Sequence, residues 1–90
     1  MDEIGIDKSL VEWREVEGEI VALDLKRSDY FTLNRTGALL WSKLKDGTTR
    51  GELAQLLSSD FEISAEQASA DVDEFLLTLK ERGLLVEGGK

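Results

Sequence analysis

Tyr30-Phe31-Thr32-Leu33-Asn34-Arg35-Thr36-Gly37, continuing as Ala38-Leu39-Leu40-Trp41, changes its period in the middle, and that change decides the fold. Tyr30 to Leu33 are residue types that fit a pleated strand, with Phe31 and Leu33 on one face and Tyr30 on the other. Asn34 ends the alternation. Its side chain can accept a hydrogen bond from a first-turn amide and so open a helix. From there Gly37, Leu40, Trp41 and Leu44 follow helical spacing and make one apolar stripe. Gly37 lies within it, where a missing side chain lets the helix approach its neighbour closely, although Gly costs roughly 1 kcal/mol against Ala inside a helix.

Upstream, Leu10 to Val16 reads as a strand with Val11 and Trp13 on one face. Glu17-Gly18 makes a tight turn. Glu19 to Leu25 returns as a second strand whose alternation places Val21, Leu23 and Leu25 together. Lys26-Arg27-Ser28-Asp29 is a polar turn into the strand at Tyr30. Two successive hairpins predict a three-stranded antiparallel meander over residues 10–33, its last strand short and at an edge. Met1 to Ser9 shows no firm period and is expected to be a flexible arm.

Downstream, Asp46-Gly47 ends the first helix. Thr49-x-x-Glu52 and Ser64-x-x-Gln67 are capping-box patterns that open two more helices. Leu53, Leu56 and Leu57 give the second its stripe, and a polar break at Ser58-Ser59-Asp60 is expected to return Phe61 and Ile63 to the core. Ala68, Val72, Phe75, Leu76 and Leu79 give the third its stripe, and Gly83 stops it. Leu84-Leu85-Val86 is apolar enough to pack or pair as a short strand, and residues 87–90 form a flexible end. The expected fold class is α+β, in the order βββααα: a three-stranded antiparallel sheet followed by three helices over residues 34–86. That order resembles a winged helix-turn-helix.

Ninety residues make one small domain. A chain of that length buries about 60–65% of its extended-chain surface and holds one thin core without a deep cavity. There is no Cys and no His. Disulfides, thiolate metal sites and the commonest neutral-pH acid–base are therefore excluded. The Ser and Thr hydroxyls have no base at a useful spacing, and the acidic pairs Asp60/Glu62 and Asp71/Asp73 lack a calcium-loop pattern. No phosphate-cradling glycine motif is present. No apolar run approaches the ~18 residues of a membrane span. The sequence reads as a cytoplasmic non-enzyme with no cofactor. Nineteen acids against eleven bases give a net charge of −8, the wrong sign for nucleic acid. Between Glu66 and Arg82 the third helix carries five acids and two bases, so a recognition helix there would repel a duplex.

The run Tyr30-x-x-Leu33-Asn34-x-Thr36-Gly37-x-x-x-Trp41-x-x-Leu44-x-x-Gly47-x-Thr49 resembles the peptide chaperones of pyrroloquinoline quinone biosynthesis. It equally resembles the related leader-recognition elements of ribosomally synthesised, modified peptides. The likeness continues through Glu52-Leu53 and through Asp71-Val72-x-x-Phe75-Leu76-x-x-Leu79-x-x-x-Gly83-Leu84-Leu85, covering residues 10 to 86. Among these relatives the chain looks most like the stand-alone leader-binding half of the split protein of lasso-peptide clusters. The resemblance implies a three-stranded sheet against three helices, with a precursor leader captured as an added strand on the third strand. The strand residues would be Asp29, Tyr30, Phe31, Thr32 and Leu33. The third helix would supply Asp71, Val72, Glu74, Phe75, Thr78 and Arg82, with Val72 and Phe75 equally readable as core. Lys26, Arg27 and Asp71 would sit at the rim. An edge strand with unpaired amides and carbonyls supports the same mode from the residues alone. The implied partners are the leader, a transglutaminase-like leader peptidase and an asparagine-synthetase-like cyclase. The alternatives are a chaperone for a radical-SAM enzyme of the pyrroloquinoline quinone type, a winged-helix DNA binder, or a subunit that only docks other proteins.

Overall fold

In the computed structural model, which describes residues 3–87, the period change at Asn34 is a strand running directly into a helix. The elements are β1 (Glu3–Ile6), β2 (Val11–Val16), β3 (Glu19–Asp24), β4 (Asp29–Leu33), α1 (Arg35–Leu44), β5 (Thr48–Thr49), α2 (Arg50–Phe61), α3 (Ala65–Glu81) and β6 (Leu85–Glu87). Strands β2, β3 and β4 form the expected antiparallel meander, and three helices follow it in a winged helix-turn-helix-like order. The caps do what the sequence predicts. Asn34 Oδ1 accepts from the amide of Gly37 at 3.0 Å, Thr49 Oγ1 from that of Glu52 at 3.1 Å, and Ser64 Oγ from that of Gln67 at 3.1 Å. Each occupies one otherwise unpaired first-turn donor.

The core centres on Trp41, which is fully buried. Its indole meets Trp13 edge to face at 5.2 Å and Phe31 at 6.1 Å. Both are favourable geometries for aromatic pairs. Around it lie Leu40 and Leu44 of α1, Leu53 and Leu57 of α2, and Ala68, Val72 and Leu79 of α3.

One expectation is completed and two are corrected: Val21 and Leu23 do share a face of β3, but it is not the buried one. The buried face of β3 is Ile20, Ala22 and Asp24, with Val21 and Leu23 half-buried on the other face and Leu25 exposed beyond it. Register is the cause. The two-residue turn pairs Val16 with Glu19, which sets Trp13 opposite Ala22 and Val11 opposite Asp24. A small residue beside two indoles fits where Val or Leu would crowd them. Second, the segment expected to be an arm contains β1. It lies between β5 and β6 in a second small antiparallel sheet, and its Ile6 is buried. An isolated four-residue strand has no local signal, because its partners lie some 45 and 80 positions away. Glu87, assigned to the flexible end, closes β6; residues 1–2 and 88–90 lie outside the described ones. Third, α2 runs through Ser58-Ser59-Asp60 and ends at left-handed Glu62, φ 54°. Phe61 is thereby left 41% exposed, while Ile63 packs against the core.

If β1 is part of the core, Ile6→Ala should lower unfolding free energy by about 2–4 kcal/mol in urea titration, the range for an Ile-sized cavity. Leu77→Ala, on the exposed flank of α3, should stay within about 0.5 kcal/mol of the parent.

Candidate functional site

The sheet order β2-β3-β4 leaves β4 at an edge, and β6, the only late strand described, pairs with β1 instead. Which groups that edge offers follows from the turns. Glu17 and Gly18 both have positive φ, 53° and 84°. This is the type I′ geometry in which the flanking residues, Val16 and Glu19, exchange hydrogen bonds. Alternation then directs the peptide groups of Glu19, Val21 and Leu23 towards β2, and those of Ile20, Ala22 and Asp24 towards β4. Their partners Leu33, Phe31 and Asp29 spend their N–H and C=O groups on β3. Tyr30 and Thr32 therefore point theirs outward.

Beside this edge lies a groove of about 540 Å³. Thr32 and Leu33 form its strand side, Leu40 and Leu79 its floor, and Asp71, Glu74, Phe75 and Thr78 of α3 its far wall. Asn34, Thr36 and Gly37 line the end where strand becomes helix. Gly37 brings the two together, since a Cβ there would stand 3.1 Å from Leu33 Cβ. The charged groups lining the groove are both acids. Asp71 accepts a hydrogen bond from Gln67 Nε2 at 2.8 Å, and among the described residues no basic one lines the wall.

The sequence-predicted site residues fall into four groups. Thr32, Leu33, Asp71, Glu74, Phe75 and Thr78 come together in the groove. Tyr30 turns its side chain to the opposite face of the sheet, 69% exposed, beside Val21 and Leu23. Val72 is fully buried in the core and does not line the groove.

The remaining residues, Lys26, Arg27, Asp29, Phe31 and Arg82, gather where the β3–β4 turn meets the end of α3. Their centre is Asp24, a wholly buried carboxylate. Its Oδ1 accepts from the amides of Lys26 and Arg27, each at 3.1 Å, and its Oδ2 from Arg82 Nη1 at 3.1 Å. The same nitrogen reaches Asp29 Oδ1 at 3.2 Å, and the guanidinium lies 4.2 Å from the centre of the Phe31 ring. Arg27 Nη2 donates to the carbonyl of Glu81 at 3.2 Å. Asp24 escaped the sequence reading because a lone acid before a polar turn looks like surface, and its partner is 58 positions away. Asn34, Thr36, Gly37, Leu40 and Leu79 also went unassigned to the groove, although Asn34 and Gly37 stood out in the motif.

The family model for coenzyme PQQ synthesis protein D, PqqD, matches residues 19–85, and the chain belongs to that family. Its fold is similar to that of TbiB1, solved in complex with the TbiA(beta) leader peptide. The TM-score is 0.84 at 24% sequence identity, over 96% of this chain and 99% of that one. It is also similar to a lasso peptide synthetase B1 solved with its leader peptide. There the TM-score is 0.80 at 28% identity, over 92% and 96% of the two chains. No functionally curated protein gives a significant match.

Burial opposes ionisation of Asp24, yet the Arg27 amide, the Arg82 guanidinium and the Lys26 amide together hold its carboxyl below the usual carboxylate range. A pKa depressed by folding stabilises the fold above the unfolded value of about 3.9, and that contribution is lost as pH falls through the lower folded value. Asp24→Ala should cost about 1.5–3 kcal/mol at pH 7, because two amides lose their side-chain acceptor and the part-buried Arg82 keeps only one of its two carboxylates. Unfolding curves of parent and variant should differ by a constant amount above about pH 5 and converge below about pH 4.

Proposed function

We propose that this member of the PqqD family is a non-catalytic peptide-binding protein. It captures the leader of a ribosomally synthesised precursor as an added strand on β4 and presents it to a separate processing enzyme. The observation that carries this reading is the free edge at Tyr30 and Thr32 opening onto a groove walled by α3. A leader strand paired there sends alternate side chains into the groove, beside Leu33 and Phe75, and the others onto the face that carries Tyr30. Each main-chain hydrogen bond contributes about 0.5–1.5 kcal/mol. One buried Leu- or Tyr-sized side chain adds about 1.5–3 kcal/mol. Ordering the flexible leader opposes these gains and brings the affinity into the micromolar to nanomolar range. With Asp71 and Glu74 on the wall, a Lys or Arg beside the apolar anchor of the leader is favoured. Both similar structures hold a bound leader peptide, which supports this mode.

The enzyme it serves is, on this reading, a cytoplasmic transglutaminase-like leader peptidase of the lasso-peptide type, with an asparagine-synthetase-like cyclase acting later. The match to the PqqD model favours a radical-SAM enzyme as the second reading. Among the described residues no group of His, Cys, Asp or Glu is placed to hold a metal ion, and no helix is long and apolar enough to cross a membrane.

Reconstitution separates the two readings. The peptidase should process precursor poorly alone and efficiently with this chain added, because tethering raises the effective concentration of the cleavage site towards the millimolar range. Equal processing without it would remove the delivery role, and a gain seen only with the radical-SAM enzyme would select the second reading.

Strand addition is tested on the peptide. Methylating successive backbone amides of the leader should abolish binding at every second position, since only alternate amides face β4. Uniform tolerance would mean the leader is held by side chains alone. On the protein, Thr32→Pro should weaken binding by more than about tenfold while helical circular dichroism is retained, through loss of an outward donor and obstruction by the ring. Lys43→Ala, an exposed change on α1, should leave affinity unchanged.

A further inference from the structure

We infer that Arg82 is a positioning residue that sets the width of the groove, and not itself a contact of the bound peptide. This rests on the peptide-binding reading above and adds what determines the spacing of the two walls.

Between α3 and β4 the groove keeps the elements apart, and among the described residues the side-chain polar ties across it all run through Arg82. That side chain is only 18% exposed. Its guanidinium is spent in three directions: on Asp24 at the end of β3, on Asp29 at the start of β4, and over the ring of Phe31 in the middle of β4. With Nη1 committed to two carboxylates and one face of the group to an aromatic ring, this arginine is well placed to hold two elements at a fixed separation. The junction is reinforced on both sides. Arg27 donates to the Glu81 carbonyl, and Lys26 crosses Gly83, where a Cβ would come within 2.8 Å of Lys26 Nζ. Gly83 has φ +75°, so the helix ends there and Leu84 goes into the core.

The result is a pair of walls pinned at one end and open at the other. Asp24, Arg82 and Asp29 are the pin; Thr32, Leu33, Asp71 and Glu74 lie further along. An added strand needs β4 and α3 at one separation, so that the backbone ladder and the apolar anchor engage together. Fixing that separation beforehand removes an ordering cost from binding.

Asp24 makes the idea testable, because a wholly buried carboxylate cannot touch a peptide in the groove. The chain has no cysteine, so Tyr30→Cys/Leu77→Cys provides two exposed spin-label sites, one on each wall element. Electron–electron distance measurement on the free chain should give a narrow distribution in the parent background. It should broaden with Arg82→Gln and with Asp24→Asn, and broaden less with Arg82→Lys, which keeps the charge but not the two-carboxylate reach. Affinity is measured without labels, for a peptide selected against the parent chain from a phage-displayed random library. Arg82→Gln and Asp24→Asn should each weaken it about tenfold, and the double variant should be little worse than either, as for two parts of one device.

A loss with Arg82→Gln but not with Asp24→Asn, or one without broadening, would make Arg82 a direct contact and overturn the inference. Retained affinity in both variants would overturn it as well. If Arg82→Gln or Asp24→Asn fails to fold by circular dichroism, Arg82→Lys alone decides by the same two readouts. Failure of the parent chain to select any peptide would sink the peptide-binding reading, and the distance arm would still decide the pin.

Discussion

Helix α1 lies as close to β4 as it does because position 37 carries no side chain; with one there, Leu33 would have to give way by a few tenths of an ångström. A Cβ on Gly37 would stand 3.1 Å from Leu33 Cβ and 3.3 Å from Leu33 Cδ2, closer than such atoms normally approach. With that contact available, a single residue, Asn34, suffices to turn strand into helix and to cap it. The short connection sets Trp41 under the sheet, where it meets Trp13 and Phe31. Everything that makes the groove follows from this placement. Leu40, one position before Trp41, becomes part of the floor, and Leu33 part of the near wall.

The free edge of β4 depends on where the other strands go. The chain's last described strand, β6, is used on β1, and β1 also takes β5. This second small sheet occupies the strand that could otherwise have closed the meander. An unpaired edge in a protein of this size is an aggregation hazard unless it is short or charged. Here it is five residues long, begins with Asp29, and is overlooked by Asp71 and Glu74. The same acidity opposes pairing of the edge with copies of itself and disfavours contact with nucleic acid.

A buried charge is costly unless its partners are all present. Asp24 has two amides and a guanidinium, and it joins the β3–β4 turn to the last turn of α3 across 58 positions of sequence. Hydrophobic packing alone is tolerant of small slides between a helix and a sheet. A carboxylate that must meet three donors at about 3.1 Å is not. The polar cluster therefore gives the helix a specific position beside the strand, where the apolar core gives it only a preferred face.

What the sequence by itself determined was local. The caps at Asn34, Thr49 and Ser64, the turns at Glu17-Gly18 and Gly83, and the stripe from Leu40 to Leu44 were legible because each acts between residues within four positions of one another. The edge position of β4 and half of the groove, from Thr32 and Leu33 to Phe75 and Thr78, followed from those local signals together with the motif resemblance. Tertiary structure decided the rest. Alternation in β3 marks two faces, but only pairing with β2 decides that Ile20, Ala22 and Asp24 turn inward, because a one-residue change of register exchanges the faces. Nothing near Glu3 announces a strand whose partners are Thr48, Thr49 and Leu85 to Glu87. Nor does any local pattern tie Asp24 to Arg82. These features are contacts between distant parts of the chain, and such contacts are fixed by the joint packing of the whole core, which no short window of sequence contains.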